Sequence, residues 1–549
     1  MSMETANTKL KRTRPSFHLL MCIAIFAASV LGYAAIIWSG IIRGYQPSKL
    51  VAARDIALLV PIVAVFFWMT RSQRFRGEMI VFTAAIFLFA IGQLMQFRLF
   101  SDPEYGARGV ARMQAREAKA QTVRLLNIET GYDDQKKGFM FGSAGVPKTP
   151  DPQKQQGSRF SFGDILTSVN TYIPIVALLA MAGGFWIFKS ETTLLWFQRH
   201  ALTLGLVTLI PFGIVVLISR EGKFLGQTTP WEGVKVLFLL GFSGMLADAY
   251  RHLRRTRWGL PTARYFLPFL VIAVMPVLPF FALSDFGQML VFFGVYVMLY
   301  VVAVRKKIQI AYAVAAVALI FVIFFGATKA TTGFGLPGRV HFRFYQWLHT
   351  WEAPPPDTWW WKPDFERYLQ AKHLTVDPNN PQETRQRNNE AWADKVLQQS
   401  QGLFGINEGG PTGEGLGLGF PETVPISDSD FIYAALSEET GIVGCLTILL
   451  ALGVFVYAGT AISIASPDMF TKLFAAGLTA FVGFQAVVNV GGVLRLLPMT
   501  GITLPFVSHG GWSLITSFAM LGILLAFSHR NSQVPAPTVE PQPQFVPLR

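Results

Sequence analysis

Long apolar runs recur along the chain, each near the roughly 20 residues that a bilayer requires. They predict about twelve membrane-spanning helices, over residues 16–39, 55–70, 78–97, 168–188, 200–219, 232–249, 265–283, 286–304, 308–326, 430–459, 470–494 and 510–529. Short polar breaks separate most of them, and two long polar segments, 98–166 and 327–429, interrupt the series. The fold class expected is therefore an all-α polytopic membrane protein with two large loops. The first run follows "KLKRTR", lacks a small-residue cleavage site and is too long for the apolar core of a signal peptide, so it reads as a retained anchor.

Composition agrees. The 549 residues are 52% hydrophobic and only 15% charged, where a soluble domain carries about 25% charged residues. The formal net charge is +14, and its Lys and Arg gather beside the apolar runs. "KLKRTR" precedes span 1, "RSQRFR" follows span 2, "RHLRRTR" follows span 6 and "RKK" follows span 8. An even number of spans puts all of these on one side, the cytoplasm, with both termini. Segment 98–166 is basic on the opposite side, but loops beyond about 60 residues carry little weight in that rule. Its stretch "GARGVARMQAREAKAQTVRLL" reads as a polar surface helix. Anionic lipid head groups are the next partner for such charge; nucleic acid is not expected, because the basic residues form no continuous tract. Cys22 and Cys445 both lie in apolar runs, which excludes a disulfide framework or a Cys-based metal site. The Pro-rich tail, 531–549, reads as disordered. In 327–429, "WEAPPPDTWWWKPDFERY" gathers Trp with charge; Trp favours the membrane interface, so this loop is expected on the bilayer surface, as an anchored solvated loop or as part of a substrate site.

Ionisable groups stand where they are costly. Such a group at a helix centre costs roughly 3 kcal/mol or more and marks a functional path. "TTPWEGVKVLFLL" places Glu232 and Lys235 three apart on one helical face, where they can pair. Arg220 and Lys223 precede them in "SREGKFLG". "LSDFGQ" puts Asp285 in a tight turn between spans 7 and 8, and Arg339 and Arg343 follow span 9. Asp430 opens span 10, with Glu438 and Glu439 two turns on. Each also has a structural reading: Asp430 a cap, Asp285 a turn, Glu232 with Lys235 an ion pair. Together they cluster at the outer span ends. A proton-coupled transporter would favour carboxylates near the midplane. Charge of both signs at the outer ends suits an anionic amphiphile in the outer leaflet.

"GLGLGFPETVPISDSDFIYAALSEETG", Gly415 to Gly441, is similar to the pattern GLGxGxPExxPxxxTDFIFAxxxEExG of the SEDS family (shape, elongation, division and sporulation proteins, which include RodA and FtsW), with Ser429 in place of Thr. "TLPFVSHGGWS" resembles the family's PLPFVSYGGSS, with His509 for Tyr and Trp512 for Ser. "LLPMTG", "TPWEGVK" and "SDFGQML" resemble LLPVTG, QPSEFAK and PDLGTAL. All five occur in the family's order over about 78–530. The resemblance implies a ten-helix core in 78–530, preceded by two additional helices in 1–77 and followed by the cytoplasmic tail 531–549.

The resemblance further implies peptidoglycan glycan-strand polymerisation from lipid II at the outer face of a bacterial cytoplasmic membrane, in division or elongation. The partner would be a class B penicillin-binding protein, which supplies the transpeptidase. The 4-hydroxyl of the lipid II GlcNAc would attack the strand's reducing-end sugar and expel undecaprenyl pyrophosphate. That needs a carboxylate base and cations for the leaving group. Lys235, Arg220, Lys223, Arg339 and Arg343 are the available cations; Glu232, Asp285, Asp430 and Glu438 complete the substrate-binding set. A divalent cation, magnesium or manganese, could assist, but no His/Cys cluster offers a zinc site. The family places its base in the large outer loop, in a W-x-D-P setting, and here the match breaks. Read forward, "WLHTWEAP" puts Ala353 in the slot, beside Glu352 and shortly before Asp357; read backward, it falls on Ala391 or, with a small gap, on Asp394 after Trp392. About 40 residues are inserted at this point. The base is thus Asp394 or Asp357, with Glu352 beside them, or it is absent. Two other functions remain open: a lipid II flippase or transporter, and a catalytically degenerate scaffold for the penicillin-binding protein.

Overall fold

The computed structural model describes residues 15–102, 169–207, 231–254, 256–257, 260–261, 285–304, 311, 338–377 and 380–533. Its helices are α1 (Pro15–Ile42), α2 (Lys49–Phe67, extended by a π-helical turn over Trp68–Ser72), α3 (Ile80–Ser101), α4 (Val169–Lys189), α5 (Glu191–Val207), α6 (Trp231–Leu253), α7 (Phe286–Val304), α8 (Gly338–Leu348), α9 (Lys362–Ala371), α10 (Pro381–Gly409), α11 (Ile432–Ala465), α12 (Met469–Val493) and α13 (Gly511–Asn531). Two two-residue strands, Thr256–Arg257 and Leu260–Pro261, pair antiparallel. Nine helices among the described residues are long and apolar enough to cross a bilayer. The chain is a multi-pass membrane protein. The expected spans 265–283 and 308–326 lie outside the described residues apart from residue 311, and 200–219 is described only to 207, as the end of α5. The loop 98–166 is likewise outside from 103, as is the tail from 534.

α3, α12 and α13 form the interior: 78–83% of their most apolar windows is buried, against 33% for α1 and α2 at the periphery. α13 runs along α4, α12 along α6, α7 and α11, and α3 along α11 and α1. Caps set several boundaries. Ser48 accepts from Val51 N and starts α2 earlier than the apolar run alone indicated. Asp468 accepts from Thr471 N at 2.7 Å and starts α12. Asn380, with Pro381 in the first turn, starts α10.

α8, α9 and the first half of α10 form a cap with its own core of Trp361, Phe365, Ala391, Trp392 and Val396. The Trp cluster is divided between this core and the surface. Trp361 is 1% exposed and bonds Asn388 Oδ1 at 2.7 Å, so it packs inward; Trp351 and Trp359 are the exposed members. An aromatic run holds a small core together as readily as it marks an interface.

The second half of α10 lies on α11 through Gly402, Gly405 and Gly409, a stripe on one helical face. A Cβ on Gly409 would fall 2.0 Å from the Ser437 carbonyl oxygen, so the backbones touch only because no side chain intervenes. α11 has 34 residues, about 51 Å at 1.5 Å per residue, well beyond a hydrocarbon core of about 30 Å. Gly441, at φ 65° and ψ −167°, breaks it into an upper piece and a spanning piece. The loop after α10 fills the break. Ile442 N donates to Gly410 O at 3.0 Å and Val443 N to Pro411 O at 3.2 Å, while Glu414 N and Gly415 N donate to the carbonyls of Glu438 and Glu439. Glu438 and Glu439 therefore sit on the short upper piece, where carboxylates do not have to cross the bilayer.

Candidate active site

The first polar group lies under the cap. Glu232 in the first turn of α6 and Lys235 one turn later are 5% and 2% exposed and form an ion pair. The pair has hydrogen-bond partners on two other helices. Gln288 Nε2 donates to Glu232 Oε1 at 3.0 Å. Lys235 Nζ donates to Gln485 Oε1 at 3.2 Å. Gln485 Nε2 in turn donates to Thr503 O at 3.1 Å and to Ser513 Oγ at 3.2 Å. Asp285 joins this chain from the start of α7, where its Oδ1 accepts from Gln288 N at 3.3 Å. Each buried donor or acceptor so connected avoids a desolvation cost of about 1–3 kcal/mol.

Two loops close the group. Ser508 Oγ donates to Ser429 O at 2.6 Å, His509 N to Asp428 O at 2.9 Å, and Asn489 Nδ2 to Asp430 O at 2.9 Å and Ile502 O at 2.6 Å. The two family-like segments, "SDSDF" and "TLPFVSHGG", are thus sewn to each other. Asp430 precedes α11, and its carboxylate faces Gly501. Burial pushes the Asp285 and Asp430 carboxyls up to about 6; repulsion from Glu232 adds to the first shift and repulsion from Asp428 and Asp285 to the second, while Arg343 on α8 opposes both. Arg343 Nη1 also donates to Thr500 O at 3.4 Å. Asp430, Asn489, Gly492, Thr500 and Gly501 line a small pocket.

The second polar group lies at the foot of α10. Arg98 on α3, fully buried, meets Glu439 at 2.7 Å, Asp102 at 3.1 Å and Glu422 at 3.3 Å. Arg43 at the end of α1 meets the other oxygen of Glu422 at 2.9 Å. Glu438 belongs to this group rather than to Asp430's: its carboxylate accepts from Phe420 N and lies against Gly405 and Gly419. Helical spacing could not be counted from Asp430, because α11 begins after it.

The expected residues are therefore distributed. Glu232, Lys235, Asp285, Arg343 and Asp430 come together. Glu438 is in the second group. Asp394, Asp357 and Glu352 are exposed on the cap, with Glu352 Oε2 3.3 Å from His349 Nδ1. Arg220 and Lys223 lie outside the described residues, as does the side chain of Arg339 in the first turn of α8. Among the described residues, no group of three or more His, Cys, Asp or Glu could hold a metal ion. Sequence reasoning missed Gln288, Gln485, Asn489, Arg98, Glu422 and Arg43. Arg98 was visible as a charge at the end of the apolar run "IGQLMQFRLF".

Residues 378–533 match the FtsW/RodA/SpoVE family, described as cell cycle protein. Over these residues the chain is similar to that family, and the match takes in less than a third of the chain. The peptidoglycan glycosyltransferase RodA of Mycobacterium bovis is 46% identical over 129 residues, 24% of this chain and 28% of that protein. A FtsW of Bacillus subtilis, named probable peptidoglycan glycosyltransferase, is 40% identical over 134 residues, 24% of this chain and 33% of that protein. The matched part thus spans about a third or less of these curated relatives' length. A crystal structure of the rod-shape-determining protein RodA of Thermus thermophilus is 22% identical with a TM-score of 0.38, over 66% of this chain and 89% of that one.

Proposed function

We propose that the chain is a peptidoglycan glycosyltransferase that polymerises lipid II at the outer face of the cytoplasmic membrane, with the cap outside and both termini inside. The observation that carries this reading is the buried chain Asp285–Gln288–Glu232–Lys235–Gln485, closed by the two family-like loops beneath the cap. Fixed polar groups around a small cavity at the end of a membrane bundle suit a substrate with an anionic head and an apolar tail.

Within it, the roles divide by access. Lys235 is buried and already neutralised by Glu232, so it orients Gln485 and the 503–513 loop rather than gripping substrate. Arg343 is half-buried on the cap side of Asp285 and Asp430, which suits it to the departing pyrophosphate. For the base, Asp394 is better placed than Asp357. Gln399 reaches Gly492 at the cavity wall with a 3.3 Å bond to its carbonyl, and Asp394 stands five residues above it on α10, about 8 Å of helix rise. The segment bearing Asp357 is tied to α10 at Asn388, whose Nδ2 donates to Pro354 O at 2.7 Å, about 16 Å of rise above Gln399. A class B penicillin-binding protein is the expected partner.

The test is polymer formation by the purified full chain with its transpeptidase partner and lipid II. Glycan strands support the proposal. Transbilayer movement of labelled lipid II without polymer would replace it with the flippase reading, and partner binding with neither activity would replace it with the scaffold reading.

A further inference from the structure

The helix pair α1–α2 lies outside the segment 378–533 that matches the family, yet one of its residues reaches that segment's signature loop. Arg43 Nη1 donates to Gly419 O at 2.8 Å and Gly417 O at 3.4 Å, and Nη2 to Glu422 Oε1 at 2.9 Å. Its guanidinium also lies over the Phe420 ring, 4.5 Å from the centroid. Glu422 spends its other oxygen on Arg98, whose Nη2 shares the Gly419 carbonyl at 2.9 Å. Two guanidinium groups from α1 and α3 thus grip one loop from both sides.

Packing repeats the message independently of charge. Leu416 packs against a small core of Tyr33 and Ile36 from α1, Ala52 from α2 and Phe97 from α3. Gly417, at φ +83°, lies so close to α1 that a Cβ there would fall 1.8 Å from Ser39 Oγ. Its N–H donates to Glu439 Oε2 at 2.9 Å. The loop's carbonyls therefore point to Arg43 and Arg98, and its amides to α11.

We propose that Arg43 is a positioning residue, and that α1–α2 is a built-in clamp on loop 415–422 rather than an appended anchor. The clamp fixes where the loop leaves α10 and enters α11. Through α11 it sets Asp430 and the cavity below the cap. This rests on the polymerisation reading for its activity readout, but not for its structural one.

The experiment uses the purified full chain with a reporter, Leu418→Cys. Leu418 is 46% exposed, while Cys22 and Cys445 are buried and stay silent. Thiol modification and lipid II turnover are measured for the reporter alone and with Arg43→Ala, Arg43→Lys or Trp38→Ala, a lipid-facing control on α1. Arg43→Ala should raise the modification rate at least tenfold and lower turnover at least tenfold. Arg43→Lys, which keeps the charge but loses the fork, should fall between, and Trp38→Ala should change neither. Unchanged modification in Arg43→Ala overturns the clamp, even where turnover falls. If the parent makes no polymer, the proposed function fails and the modification rates alone decide the clamp by the same criterion. If Arg43→Ala does not fold, Arg43→Lys against the parent carries the comparison.

Discussion

Arg98 Nε donates to Glu439 Oε1 at 2.7 Å between α3 and α11, and neither side chain is exposed at all. The same guanidinium holds Asp102, Glu422 and the Gly419 carbonyl. Three carboxylates converge on it, so its removal leaves them buried and mutually repelling. Breaking such a pair costs about 3–5 kcal/mol. Arg98→Ala is expected to lower the apparent unfolding temperature in detergent sharply or to abolish folded protein. Arg98→Lys should be intermediate, because one ammonium cannot serve four acceptors in a plane. A melting curve that Arg98→Ala leaves unmoved would show the network to be idle.

Glu232 and Lys235 separate stability from activity. Lys235→Ala leaves Glu232 buried with Gln288 Nε2 as its donor, so it is expected to cost about 3–5 kcal/mol. The double variant Glu232→Gln, Lys235→Met removes both charges and should recover most of that stability. It should not recover turnover, which is expected to stay roughly a hundredfold down, since Gln485 loses the donor that orients it. Full turnover in the stable double variant would reduce the pair to a structural one.

Much of this was readable in the sequence, and the remainder failed for physical reasons. Apolar runs gave the described spans closely because a bilayer imposes length directly. The Glu232–Lys235 pair followed from a spacing of three within one continuous helix. Glu438 was misplaced because α11 starts at Ile432, after the turn that carries Asp430, and is then broken at Gly441; periodicity does not extend across a turn. Arg43 and Glu422 are 379 residues apart in sequence, and no local pattern links two such positions. Trp361 could not be told from its exposed neighbours, because burial in a small helical core and burial by lipid head groups call for the same side chains.

The two raised carboxyls give stability a pH slope. Asp285 and Asp430 titrate at about 6 in the folded chain, against an ordinary 3.8. The folded state therefore binds more protons than the unfolded state between those values, and stability falls as pH rises. Their contribution is fully present below about pH 4 and is lost as pH passes 6, on the order of 3 kcal/mol for each group. Apparent unfolding temperature should decline from pH 4.5 to 7.5. Asp285→Asn keeps an acceptor for Gln288 N and removes the titration, so its slope should be shallower, and Asp285→Asn with Asp430→Asn shallower still. Equal slopes in all three proteins would remove both groups from the account.

The candidate bases are all exposed, so their loss should leave stability within about 0.5 kcal/mol and any fall in turnover reads on chemistry. Asp394→Asn is expected to lower polymerisation by about 10²–10⁴, the range for loss of a general base. Asp357→Asn and Glu352→Gln should each cost less than threefold. If Asp357→Asn gives the large loss instead, the cap must approach the cavity by its α9 side. If none of the three lowers turnover, the cap does not carry the base.

Gly417 provides the most local check on how the loop sits. Alanine there meets two separate obstacles. At φ +83° an L side chain is strained by roughly 1–2 kcal/mol, and the new Cβ collides with Ser39 Oγ at 1.8 Å. The second obstacle can be removed alone. Ser39→Gly takes away the Oγ and the Cβ that is 3.0 Å from the same point. Gly417→Ala is therefore expected to lower the apparent unfolding temperature clearly. Ser39→Gly with Gly417→Ala should regain part of the loss and leave a residue equal to the backbone strain. A double variant that adds the two single effects, with no recovery, would mean that α1 and the loop do not touch there.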